Sequence, residues 1–171
     1  MNPISNSNRS LKWLWLSLAF IVVDQLTKLA VVVWMPLYSR IEISSFFNLV
    51  HVRNEGAAFS FLSDAGGWQR WFFTGLALFI SGLLIYWLRK TPQEHKLTAI
   101  AYAMIIGGAI GNAIDRVIYG NVVDFLDFYW NSSHWPAFNV ADSVIMLGAA
   151  LLILDGFRTG SESTTSNKES S

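Results

Sequence analysis

Four long apolar segments constrain the fold of this 171-residue chain more than any other feature. The first runs from Trp13 through a polar patch to Trp34, and the others begin at Trp71, Leu97 and Ala137. Each of the last three runs for about 18 residues, which as an α-helix spans about 27 Å, close to the hydrocarbon thickness of a bilayer. Soluble cores rarely need helices that are apolar on every side. The sequence therefore predicts four transmembrane helices, at residues 12–34, 70–88, 97–115 and 137–155.

The segments outside these helices differ in character. Residues 1–10 and 158–171 are polar, which predicts disordered tails on either side of a single membrane-embedded domain at 11–157. Residues 36–63 contain two strand-like runs and predict a small antiparallel sheet on the outer surface. Residues 121–136 are rich in aromatic side chains, and we interpret them as a short interfacial helix or flap. The predicted fold class is an α-helical membrane protein with four transmembrane helices, a small extracytoplasmic antiparallel β-sheet and a short periplasmic interfacial helix.

The 12 lysines and arginines predict the orientation of the chain. Those in the two tails and the 89–96 loop are Arg9, Lys12, Arg89, Lys90, Lys96, Arg158 and Lys168. Those in the other two connections are Arg40, Arg53, Arg70 and Arg116, while Lys28 lies within the first helix. Positive residues in short loops mark the cytoplasmic side, so both termini should be cytoplasmic. Residues 36–70 and 115–136 should then face outward.

Composition excludes several classes of function. The net charge is zero and no basic run exists, so nothing indicates binding to nucleic acid. The chain has no cysteine, which excludes disulfides, thiolate catalysis and cysteine-ligated zinc. The 3 histidines are scattered, without a His-Glu-x-x-His motif, and no serine lies in a Gly-x-Ser-x-Gly motif. We therefore expect no metal and no cofactor, and carboxylates remain as the catalytic groups.

Two aspartates are the candidate catalytic residues. Asp124 and Asp142 lie where apolar segments meet the outer membrane surface. An ionised carboxylate near hydrocarbon is costly, so acidic residues there indicate a functional site. Two carboxylates held close together cannot both ionise easily, so one can act as a base on water while the other donates a proton. The pattern predicts hydrolysis of an amide bond, and the sequence does not determine which aspartate carries the proton.

Further polar residues are placed near the same end of the bundle. Two helical faces carry them: Asn112, Asp115 and Arg116 on the third helix, and Asn139, Asp142 and Ser143 on the fourth. Polar faces at membrane depth point into the bundle or into a wet cavity. The side-chain amides of Asn54, Asn112 and Asn139 are candidates to hold a substrate backbone or a developing oxyanion.

Each of these residues also has a structural interpretation. Either aspartate alone would more often be a helix cap than a catalyst. Arg116 either assists the developing oxyanion or pairs with its neighbour Asp115, and Asp127 is interpreted as a solvated residue. Asp24 and Lys28 lie four residues apart; we favour a structural ion pair, with Lys28 extending outward, over a proton relay.

Five sequence blocks, taken together in their order, resemble the lipoprotein signal peptidase family, also called signal peptidase II, of bacterial inner membranes. The blocks are Asp24-Gln-Leu-Thr-Lys28, Asn54-Glu-Gly-Ala-Ala-Phe59, Gly111-Asn-Ala-Ile-Asp-Arg116, Val122-Val-Asp-Phe125 and Phe138-Asn-Val-Ala-Asp-Ser143. The resemblance covers roughly residues 12 to 157. It implies an aspartyl endopeptidase that cleaves prolipoproteins just before a cysteine carrying diacylglycerol.

The resemblance also implies roles for individual residues and partners. Asp124 and Asp142 take the catalytic roles, and the positions implied to contact substrate or support them are Asn54, Gly56, Asn112, Arg116 and Asn139. Membrane lipid, the prolipoprotein and cyclic peptide inhibitors of the globomycin type are the implied partners, and we expect a monomer. The main alternative is a proton-coupled membrane carrier, and a structural subunit is a third possibility. In the carrier, the relay groups would be Asp24, Lys28, Asp115 and the two candidate catalytic aspartates.

Overall fold

A computed structural model describes the backbone of residues 8–56 and 67–169, and side chains within 10–56 and 67–158. The final part of the predicted outer β region, residues 57–63, lies outside the described residues, as does the end of the block that starts at Asn54. All ten candidate site residues lie within them.

Four long helices form the membrane-embedded body. After a short 3₁₀ helix at Asn8–Trp13, they are α1 (Leu14–Trp34), α2 (Gln69–Lys90), α3 (Lys96–Tyr119) and α4 (Val140–Glu169). Four candidate spans are long and apolar enough to cross a membrane: Ser10–Trp34, Gln69–Lys90, Lys96–Tyr119 and Val140–Arg158. The prediction of four transmembrane helices is therefore confirmed, and large apolar side chains remain exposed on their outer faces where lipid would cover them.

Helix α3 is the central helix, because it packs against α1, α2 and α4. Small residues allow this close approach. A β-carbon at Gly108 would collide with the backbone carbonyl of Ala141 in α4, and one at Gly111 would lie 2.6 Å from the Asp24 carboxylate of α1. Glycine is therefore required at both positions for the neighbouring helices to reach α3.

A four-stranded antiparallel sheet lies at one end of the bundle. Its order is β1 (Arg40–Ser44), β2 (Phe47–Asn54), β3 (Val122–Trp130) and β4 (Ser133–His134). The sheet joins the end of α1 through a cluster of buried apolar side chains: Val31, Met35, Val123 and Phe125. This contact fixes the sheet over the bundle end at which α1 and α3 finish and α4 begins.

The predicted interfacial helix is wrong. Residues 121–136, all of which the structure describes, contain β3 and β4 and no helix. The segment is rich in valine and aromatic residues, which favour strands, and β3 pairs with β2 so that Val52 lies opposite Asp124. Pairing with β2 therefore makes this segment a strand rather than a helix.

The predicted disordered C-terminal tail is also not what the structure shows. The backbone of α4 remains helical from the membrane span to Glu169. Adding residues to an existing helix costs far less than nucleating a new one, so a polar segment without proline can continue it.

Candidate active site

Asp124 lies on β3, at the face of the sheet that meets the helices. Only 2% of the residue is exposed. The Asn54 side chain on β2 donates a 3.1 Å hydrogen bond to one carboxylate oxygen, and the Asn139 side chain donates a 2.7 Å hydrogen bond to the other. Both oxygens of a buried carboxylate are therefore bound by neutral amides rather than by a cation.

Asp142 lies in the first turn of α4 and is tied to the residue that precedes the helix. Its backbone N–H donates to the Asn139 side-chain oxygen at 2.9 Å, and the Asn139 backbone N–H donates back to the Asp142 carboxylate at 3.3 Å. This reciprocal arrangement is a capping box. The other carboxylate oxygen accepts a 2.7 Å hydrogen bond from the side chain of Asn112. Asp142 is thus a helix-capping residue with its carboxylate also turned to α3.

Asn139 joins the two aspartates. Its side-chain nitrogen binds Asp124 and its backbone nitrogen binds Asp142. The residue is fully buried. We call Asp124 and Asp142 the carboxylate pair, since one asparagine holds both. The structure brings together the two aspartates that the sequence singled out.

The surroundings of Asp124 favour its protonated form. Burial, and secondarily the nearby Asp142 carboxylate, raise the pKa of Asp124 to about 7. The hydrogen bonds from Asn54 and Asn139 act in the opposite direction and are outweighed. A carboxylic acid near neutrality can hold or release a proton at physiological pH, which acid–base chemistry requires.

A second group of charged residues lies next to this pair. The Lys28 ammonium is 2.8 Å from the Asp24 carboxylate and 3.0 Å from the Asp115 carboxylate. We call these three residues the lysine cluster. The predicted Asp24–Lys28 ion pair is confirmed, but Lys28 is buried in the bundle rather than extended outward, because two carboxylates compensate its charge there.

The lysine cluster also holds backbone groups of the site. Asp24 accepts a hydrogen bond from the Ala141 N–H at 2.9 Å, and Asp115 accepts one from the Val123 N–H at 3.1 Å. Sequence reasoning gave no role to Gln25, whose side chain donates to both Asp24 and Asp115. The available signal was a polar residue beside Asp24 within an apolar span.

The structure contradicts one of the two predicted roles of Arg116, its pairing with Asp115. Asp115 binds Lys28, and Arg116 donates instead to the backbone carbonyls of Asn112 at 3.3 Å and Gly56 at 2.9 Å. Consecutive residues on a helix point about 100° apart, so the two side chains face different neighbours. Gly56 is also held by its N–H, which donates to the Asn54 side chain at 3.0 Å. Arg116 thereby ties the end of the 54–56 segment to α3.

Asp127 was predicted to be solvated, and this is wrong. The residue is buried, accepts a 2.8 Å hydrogen bond from the Asn48 side chain and pairs with the His134 ring at 2.9 Å. Pairing between β2 and β3 places Asn48 opposite Asp127, a relation that the local sequence does not show.

A cavity of about 570 Å³ lies beside Asp142. Its polar lining comes from Asn54, Asn112, Arg116, Asp142 and Ser143, and its apolar lining includes Trp135, Phe138, Ile145, Met146 and Leu147. Met146 and Leu147 are themselves exposed on the lipid side of α4. Among the described residues, no group of three or more histidine, aspartate or glutamate side chains is placed to hold a metal ion.

The sequence matches a known protein family and several of its members. A family model described as signal peptidase II matches residues 16–158. A lipoprotein signal peptidase of Aeromonas hydrophila is 59% identical over 157 residues, covering 91% of this chain and 94% of that protein. Another, from Vibrio cholerae, is 56% identical over 162 residues, covering 91% of this chain and 95% of that one.

Two solved structures have folds similar to that of this chain. A bacterial membrane enzyme determined by the in meso method at 2.3 Å resolution superposes with a TM-score of 0.80 at 31% identity, covering 88% of this chain and 90% of that one. A second, at 1.9 Å resolution, gives a TM-score of 0.72 at 32% identity, covering 84% of this chain and 90% of the other. The helices and the sheet thus form an arrangement that occurs in bacterial membrane enzymes.

Proposed function

The chain belongs to the signal peptidase II family, and from this premise we propose how it removes signal peptides from lipoproteins. The substrate is a prolipoprotein whose cysteine carries diacylglycerol, and cleavage falls just before that cysteine. Asp124 and Asp142 are the catalytic residues. The family assignment makes the protein a peptidase, which replaces the carrier and structural-subunit hypotheses.

One observation supports the catalytic assignment above all others. Asn139 binds both aspartates, and neither carboxylate of the pair has a lysine or arginine within 4.0 Å among the described residues. A carboxylate paired with a cation is held ionised, whereas a pair held by neutral amides can share one proton. The carboxylate pair can therefore titrate as a unit between acid and base.

The proposed reaction divides the work between the two residues. The ionised carboxylate removes a proton from water as the water oxygen attacks the scissile carbonyl carbon. The protonated one donates its proton to the carbonyl oxygen, giving a neutral tetrahedral diol. When the C–N bond breaks, the leaving amine takes the proton that the pair holds. One hydroxyl of the diol gives its proton back to the pair as the carbonyl is restored, so one proton is again shared as at the start.

The neighbouring residues position the substrate. Asn54 and Arg116 line the cavity beside Asp142, and both are bonded to Gly56. We propose that the extended substrate segment enters this cavity, where Asn54 and Arg116 present hydrogen-bond donors to its backbone carbonyls. The substrate is already confined to the bilayer by its acyl chains and signal helix, so the enzyme needs only to orient it.

We also propose how the protein is oriented in the membrane. The lysines and arginines indicate that both termini are cytoplasmic, which places the carboxylate pair near the periplasmic surface of the bacterial inner membrane. Lipid surrounds the exposed apolar faces of the helices. We expect the protein to act as a monomer and to be blocked by cyclic peptides of the globomycin type.

Cleavage by the purified protein in detergent tests the catalytic assignment. The substrate is a diacylglyceryl-modified prolipoprotein, and the variants are Asp124→Asn and Asp142→Asn, which keep shape and remove the ionisable group. We expect each to lose at least about 10³-fold in kcat while remaining folded. Near-full activity of either variant would remove that aspartate from the mechanism.

A further inference from the structure

The ammonium of Lys28 makes three short contacts, and only two of them are ion pairs. The third is a 2.8 Å hydrogen bond to the side-chain oxygen of Asn112. A lysine ammonium has three N–H groups, so all of them are used within the bundle. Lys28 is 3% exposed, and water does not compete for these positions.

The bond from Lys28, with a longer 3.3 Å bond from the Asn139 side-chain nitrogen to the same oxygen, determines which way the Asn112 amide points. An ammonium can only donate, so Asn112 must turn its oxygen toward Lys28. Its NH₂ group then faces Asp142 and donates the 2.7 Å hydrogen bond to that carboxylate. The reversed amide would place NH₂ against the ammonium and oxygen against the carboxylate, which are two repulsive contacts.

We propose that Lys28 is a positioning residue for the peptidase reaction, acting through Asn112 to hold the Asp142 carboxylate in its reactive orientation. The proposal rests on the proposed function above. Lys28 does not touch Asp142 through a direct ion pair; it fixes the amide that does. The lysine cluster is then part of the catalytic apparatus as well as of the fold.

The charge of Lys28 acts in the same sense as its hydrogen bond. It partly offsets the rise in the pKa of Asp124 that burial and Asp142 cause. The charged groups around the two sites are Asp24 from α1, Asp115 and Arg116 from α3, Asp124 from β3 and Asp142 from α4. Removing the lysine therefore changes both the orientation of Asp142 and the proton affinity of the carboxylate pair.

Two variants separate positioning from folding. Lys28→Met keeps a similar shape and removes every donor. Lys28→Met combined with Asp115→Asn removes the same donors but preserves the net charge of the lysine cluster, which protects folding. The matched control is Ser17→Ala, which removes a buried 2.7 Å hydrogen bond between the same two helices, from Ser17 to the Ala103 carbonyl.

The test measures kcat, KM and the pH dependence of kcat on a diacylglyceryl-modified prolipoprotein, with Asp124→Asn as the inactive reference. We expect kcat to fall about tenfold or more in both Lys28 variants with KM changed less than about twofold. The kcat profile of Lys28→Met should also move to higher pH. The Ser17→Ala control should lose stability while keeping kcat and the profile of the wild type.

The outcomes distinguish this inference from the proposed function. If the wild type cleaves and the double variant keeps a kcat within about twofold of Ser17→Ala, Lys28 is only structural and the inference is overturned. If the double variant does not fold, Lys28 serves folding and the inference is likewise overturned. If the wild type itself fails to cleave, the result contradicts the proposed function, and the inference that rests on it is overturned as well.

Discussion

The carboxylate pair and the lysine cluster are adjacent, each contains two aspartates, and their chemical environments are opposite. Asp24, Asp115 and Asp124 are buried, and Asp142 is half-buried. In the lysine cluster, Asp24 and Asp115 both lie within 3.0 Å of an ammonium. In the carboxylate pair, Asp124 and Asp142 receive hydrogen bonds from asparagines instead. Burial alone therefore does not distinguish Asp124 from Asp24 and Asp115.

This difference shows how one bundle end can contain both fixed and titrating carboxylates. The Lys28 ammonium contacts both Asp24 and Asp115, and the contact with Asp115 joins α1 to α3. Neutral amides satisfy the hydrogen-bonding needs of Asp124 without supplying a positive charge, and its pKa rises to about 7. Asn112 belongs to both groups, since its oxygen binds Lys28 and its nitrogen binds Asp142.

The largest effect on folding should come from breaking the lysine cluster. Asp24→Ala leaves a buried ammonium with one carboxylate fewer and frees the Ala141 N–H, so we expect the free energy of unfolding to fall by about 3–5 kcal/mol. Denaturant titration in detergent measures it. Asp142→Asn is the control and should change the free energy of unfolding by no more than about 1 kcal/mol. Equal losses in the two variants would contradict the division into two environments.

Removing the residue that joins the carboxylate pair should affect catalysis more than stability. Asn139→Ala removes the side-chain donor to Asp124 and the cap of α4. We expect kcat to fall about 10²-fold, or about 2.7 kcal/mol in activation free energy, and stability to fall by only about 1 kcal/mol. Steady-state cleavage and denaturation measured on one preparation compare the two losses. A stability loss larger than the catalytic one would make Asn139 chiefly a cap.

Titration of Asp124 should make the stability of the protein depend on pH. Asp124 has a pKa of 3.8 when unperturbed and about 7 in the folded protein, so its contribution to folding becomes less favourable as pH rises through this interval. Asp124→Asn removes that titration. The free energy of unfolding of this variant relative to wild type should therefore rise by about 2.6 kcal/mol between pH 5 and pH 8. This corresponds to a rise of roughly 5–10 °C in its melting temperature relative to wild type.

Glu42→Gln provides the control for this pH experiment, because Glu42 is an exposed carboxylate on β1 with a side chain 71% exposed. The difference in melting temperature between this variant and wild type should stay constant across the same pH range. A constant difference for Asp124→Asn as well would show that Asp124 does not titrate as the structure indicates.

The smallest effect should come from the apolar side of the cavity. Met146→Ala shortens a side chain that lines the cavity and is exposed on α4. We expect KM to rise about two- to threefold with kcat unchanged, since the lost contact is worth less than about 1 kcal/mol. Leu154→Ala, an exposed position further along α4, is the control. Equal changes in KM would mean that the substrate does not use this wall.

Much of the fold follows from the sequence because membrane spans are identified by length and hydropathy. The four candidate spans occur within a few residues of their predicted limits, although α4 continues as a helix to Glu169. Strands β1 and β2 lie within the outer β region predicted at 36–63. The prediction for 122–130 was wrong because aromatic residues are common both at membrane interfaces and in strands, although the valines beside them favour a strand. Only the pairing with β2 decides between them.

For the site, the sequence determined which residue types lie at membrane depth and at which end of the bundle. It predicted one partner, Lys28 for Asp24, but not the partners that come from distant parts of the chain. Whether Asp115 meets Arg116 or Lys28, and whether Asp127 meets water or Asn48, depends on how helices and strands from distant parts of the chain come together. Hydropathy and helical spacing are local properties, whereas the proton affinity of a carboxylate depends on the charges and donors around it. The tertiary structure alone therefore decided that Lys28 also compensates Asp115, and that Asp124 has no lysine or arginine within 4.0 Å among the described residues.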